Sequence, residues 1–326
     1  MGLGSLKKQF IDSFAEGHAI QDIFIVTEKT ISHKKDGEPF IQVRLTDRTG
    51  SIRGVIWDNV TTITTNFDQG DYVKIQARVT TFRDTLQLTV FSVNRVLIEQ
   101  VDPGDFIPKT SRDRTQMFQQ LKIQSQSIKN PYLLSVLQKF WEDPIFVKKF
   151  CIAPAAKKMH HAYLGGLLEH TLSVSLLVDR LIQCHYRGID RELLLTGAML
   201  HDIGKVDEFE YTKMIDYTDE GRLLNHIVIG VRMLDEKIAS IPNFPDNIAQ
   251  LLRHLIISHH GIREYGSPEP PKTLEAVILH YLDDLDSKIM GIRDYLEKSD
   301  ETSKWTPYFY PMERPFYKEN STKTFE

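Results

Sequence analysis

Alternation of apolar and polar residues dominates the first hundred positions. Ile41, Val43 and Leu45 alternate with Gln42, Arg44 and Thr46, the period of a half-buried strand. Asp47-Arg48-Thr49-Gly50 reads as a turn, and Ser51 to Trp57 as the returning strand of a hairpin. After a second turn at Gly70-Asp71, Val73, Ile75, Ala77 and Val79 alternate with Lys74, Gln76 and Arg78. Leu86, Leu88 and Val90 repeat the pattern. With an opening strand near Ile20 to Lys29, about five short strands fall within roughly 85 residues, which suits a small closed antiparallel barrel.

Pro103-Gly104, Pro108 and the charged run Arg112-Asp113-Arg114 then mark a linker, and beyond it the apolar period becomes 3.6. Helices are predicted at 115–128, 131–141, 144–151, 163–186, 190–203, 223–240, 245–260 and 272–296. From Ser299 the chain carries Trp305, Tyr308, Phe309, Tyr310 and Phe316 broken by Pro307, Pro311 and Pro315, and reads as irregular. The expected organisation is therefore a barrel domain over 1–100, a linker over 101–115, an all-α domain over 116–298 and a tail over 299–326. A five-stranded antiparallel barrel of this size is most often of the OB type.

Composition narrows the picture only slightly. At 326 residues the chain has room for two cores, and 41% hydrophobic with 26% charged residues is ordinary for a globular protein. A net charge of -4 carries no global basic signature, so any nucleic-acid contact must come from a local patch. The two cysteines, Cys151 and Cys184, make neither a disulfide framework nor a CxxC site, which fits a reducing, cytoplasmic setting. No apolar run approaches the roughly 18 residues a membrane helix needs, and Met1 to Leu6 lacks the apolar stretch of a signal peptide, so no membrane partner is expected.

The chemistry lies in the helical half. His170, His201-Asp202, His226, His259-His260 and Asp283 follow one another, mostly within predicted helices. They offer imidazole and carboxylate donors without a thiolate, a set suited to one or two divalent ions that activate water for hydrolysis rather than to a structural zinc. His201 and Asp202 close a helix that stops at Gly204; about 100° apart around the axis, both can reach one ion. A carboxylate can bridge two ions and imidazole cannot. His170, His201, Asp202 and Asp283 thus compose one site, and His226, His259 and His260 a second, with Asp202 shared. The sequence does not rank His259 against His260. His254 is about 140° from His259 around a helix and is assigned elsewhere. Asp286, one turn beyond Asp283, is placed to orient a ligand histidine. His160 and His161 precede the first ligand helix, as phosphate contacts or as a solvated loop.

His170, the run His201-Asp202-Ile203-Gly204-Lys205 and the later Asp283 resemble the HD superfamily of metal-dependent phosphohydrolases. His226 and Ser258-His259-His260-Gly261 resemble its binuclear branch. Gly165-Gly166-Leu167-Leu168-Glu169-His170-Thr171, Asn225-His226-Ile227 and the segment from Glu275-Ala276 through His280, Asp283 and Asp286 look like the YhaM family, over roughly residues 14 to 296. That resemblance implies a 3'→5' exoribonuclease with an N-terminal OB domain and a C-terminal HD domain, dependent on Mn²⁺ or Co²⁺ and releasing nucleoside 5'-monophosphates. Asp202 and Lys205 are the expected catalytic residues, Lys205 holding a non-bridging phosphoryl oxygen or assisting the leaving oxygen.

On the barrel, Arg44, Lys74 and Arg78 lie opposite the apolar positions, and Trp57, Phe82 and Arg83 lie near strand ends. Basic residues beside aromatics fit stacking and phosphate contact with single-stranded RNA or DNA. Two rival functions remain open: an HD phosphohydrolase for a small nucleotide or cyclic dinucleotide, and a non-catalytic nucleic-acid-binding protein. The stretch from Gly261 to Pro268 lacks the Gly-Tyr-Pro signature of the cyclic-dinucleotide branch. A homo-oligomer is allowed but not required.

Overall fold

Strands β1 (Ala19–His33), β2 (Pro39–Asp47), β3 (Gly50–Ile56), β4 (Tyr72–Phe82) and β5 (Thr85–Val96) close into a barrel in the order β1-β2-β3-β5-β4. The computed structural model describes residues 7–318 apart from 35, 59, 61, 62, 64, 84, 158, 159, 185, 298 and 300–302. The antiparallel expectation holds for every neighbouring pair of the barrel but one, since β3 and β5 run parallel through Arg53↔Gln87 to Val55↔Thr89. A ring with an odd number of strands cannot alternate direction all the way round, so closure forces one like-oriented pair. The alternating apolar residues point inward: Ile41, Val43 and Leu45 meet Val73, Ile75, Ala77 and Val79 and then Leu88 and Val90, all buried. Gly54 faces this core, and a Cβ there would stand 2.8 Å from Val43 Cγ2 and 3.2 Å from Val90 Cγ2.

The chain divides into two units. One runs to Lys109 and includes Glu210–Asp216; the other comprises Thr110–Phe209 and the chain from Tyr217. The first boundary between the units lies at 109/110. Glu210–Asp216, which helical periodicity would place in the second unit, belongs to a hairpin between β6 (Phe209–Glu210) and β7 (Asp216–Tyr217). It counts with the barrel because Tyr72 Oη donates to the Thr212 carbonyl at 3.0 Å and Met214 packs against Ile23, Ile25, Tyr72 and Phe106.

The second unit contains α1 (Arg114–Ser125), α2 (Pro131–Trp141), α3 (Pro144–Phe150), α4 (Gly166–Ile182), α5 (Arg191–Leu200), α6 (Lys205–Glu208), α7 (Asp219–Ala239), α8 (Asp246–Ser258) and α9 (Leu274–Glu297). Their starts follow local chemistry. Asp113, Asn130, Asp143 and Asp190 each accept two backbone N–H bonds as caps, and Pro131 and Pro144 occupy first-turn positions whose N–H would be orphaned anyway. Helix α5 is buried on every side from Leu193 to Leu200, which makes it the central helix and carries its C-terminal end into the interior. The described residues of the tail form no regular strand; two isolated bridges, Trp305↔Tyr317 and Phe309↔Arg314, draw them into a short irregular hairpin. Its prolines interrupt the alternation by which a strand is read. No helix among the described residues is long and apolar enough to cross a membrane.

Because Val43 and Val90 are short, branched and buried, they cannot move aside for a Cβ at position 54. Gly54→Ala is expected to destabilise the barrel by about 1–3 kcal/mol through overpacking. A lowered denaturant midpoint for the barrel transition, with unchanged metal content, is the result to look for.

Candidate metal centre

Five helices deliver the ligand series to one place. His170 comes from the first turns of α4. His201 and Asp202 follow the end of α5, and His259 and His260 follow the end of α8. His226 comes from α7 and Asp283 from α9. Two of these donor pairs thus sit at helix C-termini, where the unpaired carbonyls favour positive charge.

Asp202 is 2% exposed and its two oxygens face different groups. Oδ2 lies 3.5 Å from His170 Nε2 and 3.4 Å from His201 Nε2; Asp283 Oδ1 lies 3.1 Å from the former and 3.8 Å from the latter. On the other side, Oδ1 lies 3.5 Å from both His226 Nε2 and His259 Nε2. His260 joins that second group, one ligand atom from each of His226, His259 and His260 lying within 4.8 Å of the others. Both members of the adjacent pair therefore converge on the site.

Four of the imidazoles are turned the same way. Nδ1 of His170 meets Asp286 Oδ2 at 2.8 Å, and Nδ1 of His226 meets Glu208 Oε1 at 3.0 Å. Nδ1 of His201 and of His259 donate to the carbonyls of Ala198 and Ile256, at 2.9 and 2.6 Å. Carbonyls and ionised carboxylates only accept, so the proton sits on Nδ1 and Nε2 is left to ligate.

These residues fit divalent ions. Asp202 Oδ1, His226 Nε2 and His259 Nε2 are buried and have no hydrogen-bond partner. An orphaned buried polar atom costs about 1–3 kcal/mol, and three converging on one point are accounted for by a cation among them. On the other side, two donors each about 2.1 Å from a shared ion stand roughly 3.0–3.4 Å apart at octahedral or tetrahedral angles, close to the spacings seen between His170, His201, Asp202 and Asp283.

Electrostatics point the same way. Burial opposes ionisation of Asp202 and Asp283, yet Lys205 and His201 for the first, and His170 and His201 for the second, hold both well below the usual carboxylate range. Burial works against charge on His170, but Asp283 and Asp286 outweigh it and push that imidazole up to about 10. The pocket favours positive charge at this point, whether a proton or a metal ion. Burial lowers His226 against the pull of Glu208, and burial with neighbouring His259 lowers His260 to about 3, so both are neutral at pH 7 and in the form that ligates.

Residues 167–288 match the HD domain family, and residues 25–96 match the OB-fold nucleic acid binding domain family. Over 304 residues the chain is 32% identical to the 3'-5' exoribonuclease YhaM of Bacillus velezensis, covering 93% of this chain and 95% of that protein. It is also 32% identical over 308 residues to the 3'-5' exoribonuclease YhaM of Bacillus subtilis strain 168, with coverage of 93% and 95%. The chain belongs to the YhaM family.

Several residues of this family member escaped the sequence reading. Glu208, 3% exposed, accepts from both Nδ1 and the backbone N of His226, the latter at 3.1 Å. It does so because α7 breaks at Asn225, whose φ of 65° and ψ of 154° lie outside the helical region and free His226 N from the helix ladder. Gly204 permits the approach: a Cβ there would stand 2.0 Å from the His226 carbonyl oxygen. His161 is neither a phosphate contact nor solvated. It is buried, with Nε2 3.0 Å from Asp286 Oδ2 and Nδ1 2.8 Å from Tyr163 Oη. Burial, aided by Lys205 and His170, pulls His160 down to about 3. His254 faces away and accepts from Lys272 N at 2.8 Å. Lys205 is buried against Asp202 Oδ2 at 2.6 Å, and Asp202 raises its pKa against the effect of burial.

The barrel candidates fall into separate places. Arg44 is exposed on β2, ion-paired with Glu28 at 3.1 Å and in register with Arg53. Trp57 stacks on Phe40 at 4.9 Å, with Lys34 Nζ 5.8 Å from its ring. Phe82 and Arg83 pair at the β4–β5 turn, 5.3 Å apart, while Lys74 and Arg78 are exposed along β4. Phe40, Lys34 and Arg53 are additions that only strand register reveals.

Removing Glu208 leaves the His226 ring and backbone N without their acceptor. Glu208→Ala is expected to weaken binding of one of two ions by about 10–100-fold, and Glu208→Gln by less, in a calorimetric metal titration; wild-type affinity for both ions in the Ala variant contradicts the assignment. A second test uses pH. His170 is raised above 6.5 in the folded chain, so its contribution to metal-free stability is complete below that pH and is lost as pH rises through about 10. The thermal midpoint of the metal-free chain should fall more steeply over this window than that of His170→Gln, and metal affinity should climb as the proton leaves.

Proposed function

We propose that this chain is a metal-dependent 3'→5' exoribonuclease that shortens single-stranded RNA from a free 3' end and releases nucleoside 5'-monophosphates. One observation carries the site: the two oxygens of Asp202 face two separate donor groups, one of which ends in three orphaned buried atoms. His170, His201, Asp202 and Asp283 would hold one divalent cation, and Asp202, His226, His259 and His260 a second. Imidazole and carboxylate donors without sulfur favour Mn²⁺, with Co²⁺ as the alternative. When bound, the ions supply Lewis-acid activation of water and offset charge on the phosphoryl oxygens.

The chain's own groups do the rest. Asp202 holds both donor sets in register. The buried ammonium of Lys205, already anchored on Asp202 Oδ2, is the group we assign to a non-bridging phosphoryl oxygen or to the departing 3'-oxygen. Water oxygen bonds to the terminal phosphorus, the P–O3' bond breaks, and the penultimate nucleotide keeps the oxygen as its new 3'-hydroxyl. No serine or cysteine nucleophile is needed. The barrel, through Arg44, Trp57, Lys74, Arg78, Phe82 and Arg83, is assigned to hold the strand by stacking and phosphate contact. Two free cysteines, Cys151 and Cys184, suit a reducing, cytoplasmic setting.

Purified chain with Mn²⁺ and 5'-labelled single-stranded RNA should give stepwise shortening that a blocked 3' end stops. Asp202→Ala should abolish turnover, a loss of at least about 10³-fold, and lower metal content while the circular dichroism spectrum is kept. Cleavage of small nucleotides alone refutes the polymer substrate; full activity in Asp202→Ala refutes the site.

A further inference from the structure

The C-terminal hairpin divides its aromatic residues between half-buried and exposed positions. Phe309 and Phe316 point inward, with ring centroids 6.0 Å apart and Phe309 4.4 Å from Tyr295 of α9. Tyr295 Oη donates to the carbonyl of Pro307 at 3.1 Å, which ties the hairpin to the helix. These contacts explain why the segment packs. They leave an outer surface unexplained: Trp305, Tyr308, Tyr310 and Tyr317 are 54%, 50%, 81% and 54% exposed. Trp305 meets Tyr317 across the hairpin at 5.3 Å, and Tyr308 meets Tyr310 at 5.2 Å. The inward rings are phenylalanine and the outward ones all carry a polar edge, N–H or O–H, that stays hydrated while the π-face is available. Within 303–318, Lys304, Arg314 and Lys318 outnumber Glu313, so the positive charge is local to the hairpin, with Asp300, Glu301 and Glu319 adjoining it in sequence.

We infer that this outer face is a stacking surface for single-stranded nucleic acid, separate from the barrel. Aromatic faces interleaved with basic residues bind bases irrespective of sequence and hold the phosphates between them; protein interfaces share the Tyr, Trp and Arg but are depleted of lysine, and here Lys304 adjoins Trp305 and Lys318 adjoins Tyr317. Helix α9 links the surface to the candidate centre: Tyr295 lies twelve residues beyond Asp283, roughly 18 Å along the axis. A strand must be several nucleotides long to span that distance, so the hairpin acts on long substrates and not on the shortest. The identity of the polymer rests on the function proposed above, but its binding here does not require hydrolysis.

The test separates the two. Metal-free full chain, in chelator, is titrated with a fluorescently labelled oligouridylate of about twenty nucleotides bearing a blocked 3' end. The double substitution Trp305→Ala, Tyr310→Ala is expected to weaken binding roughly tenfold. Trp305→Phe, Tyr310→Phe should restore it, because the rings remain. With Mn²⁺, hydrolysis of a dinucleotide should be the same in all three chains. Unchanged affinity in the alanine pair overturns the inference. So does an equal loss in the phenylalanine pair, or a parallel loss on the dinucleotide, either of which marks the hairpin as support for α9. A drop in sedimenting mass with affinity unchanged would assign the face to a second copy and overturn it too. Wild-type chain that binds the oligonucleotide but never shortens an unblocked one refutes the activity alone, and the binding comparison still decides the hairpin.

Discussion

One buried anion governs the helical unit. A carboxylate as enclosed as Asp202 costs several kcal/mol to desolvate, and it stays ionised only because positive charge is arranged about it. Lys205 meets one oxygen at 2.6 Å, with His170 and His201 flanking it, while the other oxygen faces Nε2 of His226 and of His259 without a hydrogen-bond partner. The central position of α5 follows from this need. Its apolar residues from Leu193 to Leu200 are covered on all sides, so the helix end that carries His201 and Asp202 is held inside the unit instead of at its surface.

Holding the imidazoles in place takes acceptors as well as ligands. Asp286, Glu208 and two helix-end carbonyls each fix a ring by its Nδ1, so the Nε2 atoms of His170, His201, His226 and His259 are oriented without an ion. The arrangement carries a local strain. Asn225 adopts a backbone conformation that costs on the order of 1–3 kcal/mol, and the His226 N–H bond to Glu208 with the Asn225 cap on Ile227 N offsets it. Asp286 serves His161 and His170 with one oxygen and Ser173 with the other, which joins α4 to α9 through a carboxylate no cation needs to touch.

The two units divide the work of recognition and chemistry. A ligand set of imidazole and carboxylate speaks for phosphoester hydrolysis but says nothing about the length of the substrate. A closed barrel spends its inward alternation on its own core and turns the outward alternation, with Arg44, Arg53 and the Phe40–Trp57 stack, away from it, which is the surface the proposed function assigns to a strand. The exposed aromatics of the C-terminal hairpin, on the other unit, are the surface inferred to add to it.

Periodicity alone determined much of this protein. The alternation of Ile41, Val43 and Leu45, and the 3.6-residue pattern after the linker, set the two fold classes because each depends only on neighbours along the chain. The order His170, His201, Asp202, His226, His259, His260, Asp283 was legible for a related reason: hard-metal donors are few, and finding them within apolar helices is unusual. Orientation was not legible. Glu208, an acidic residue in a short helix, and His161, in a loop before α4, look like solvated polar positions until tertiary packing buries them against His226 and Asp286. Likewise one parallel strand pair, the break at Asn225 and the split of Asp202 between two donor groups depend on contacts between residues far apart in sequence. Local propensity decides which elements form; only their packing decides which buried atoms are left without a partner, and those atoms are where the ions belong.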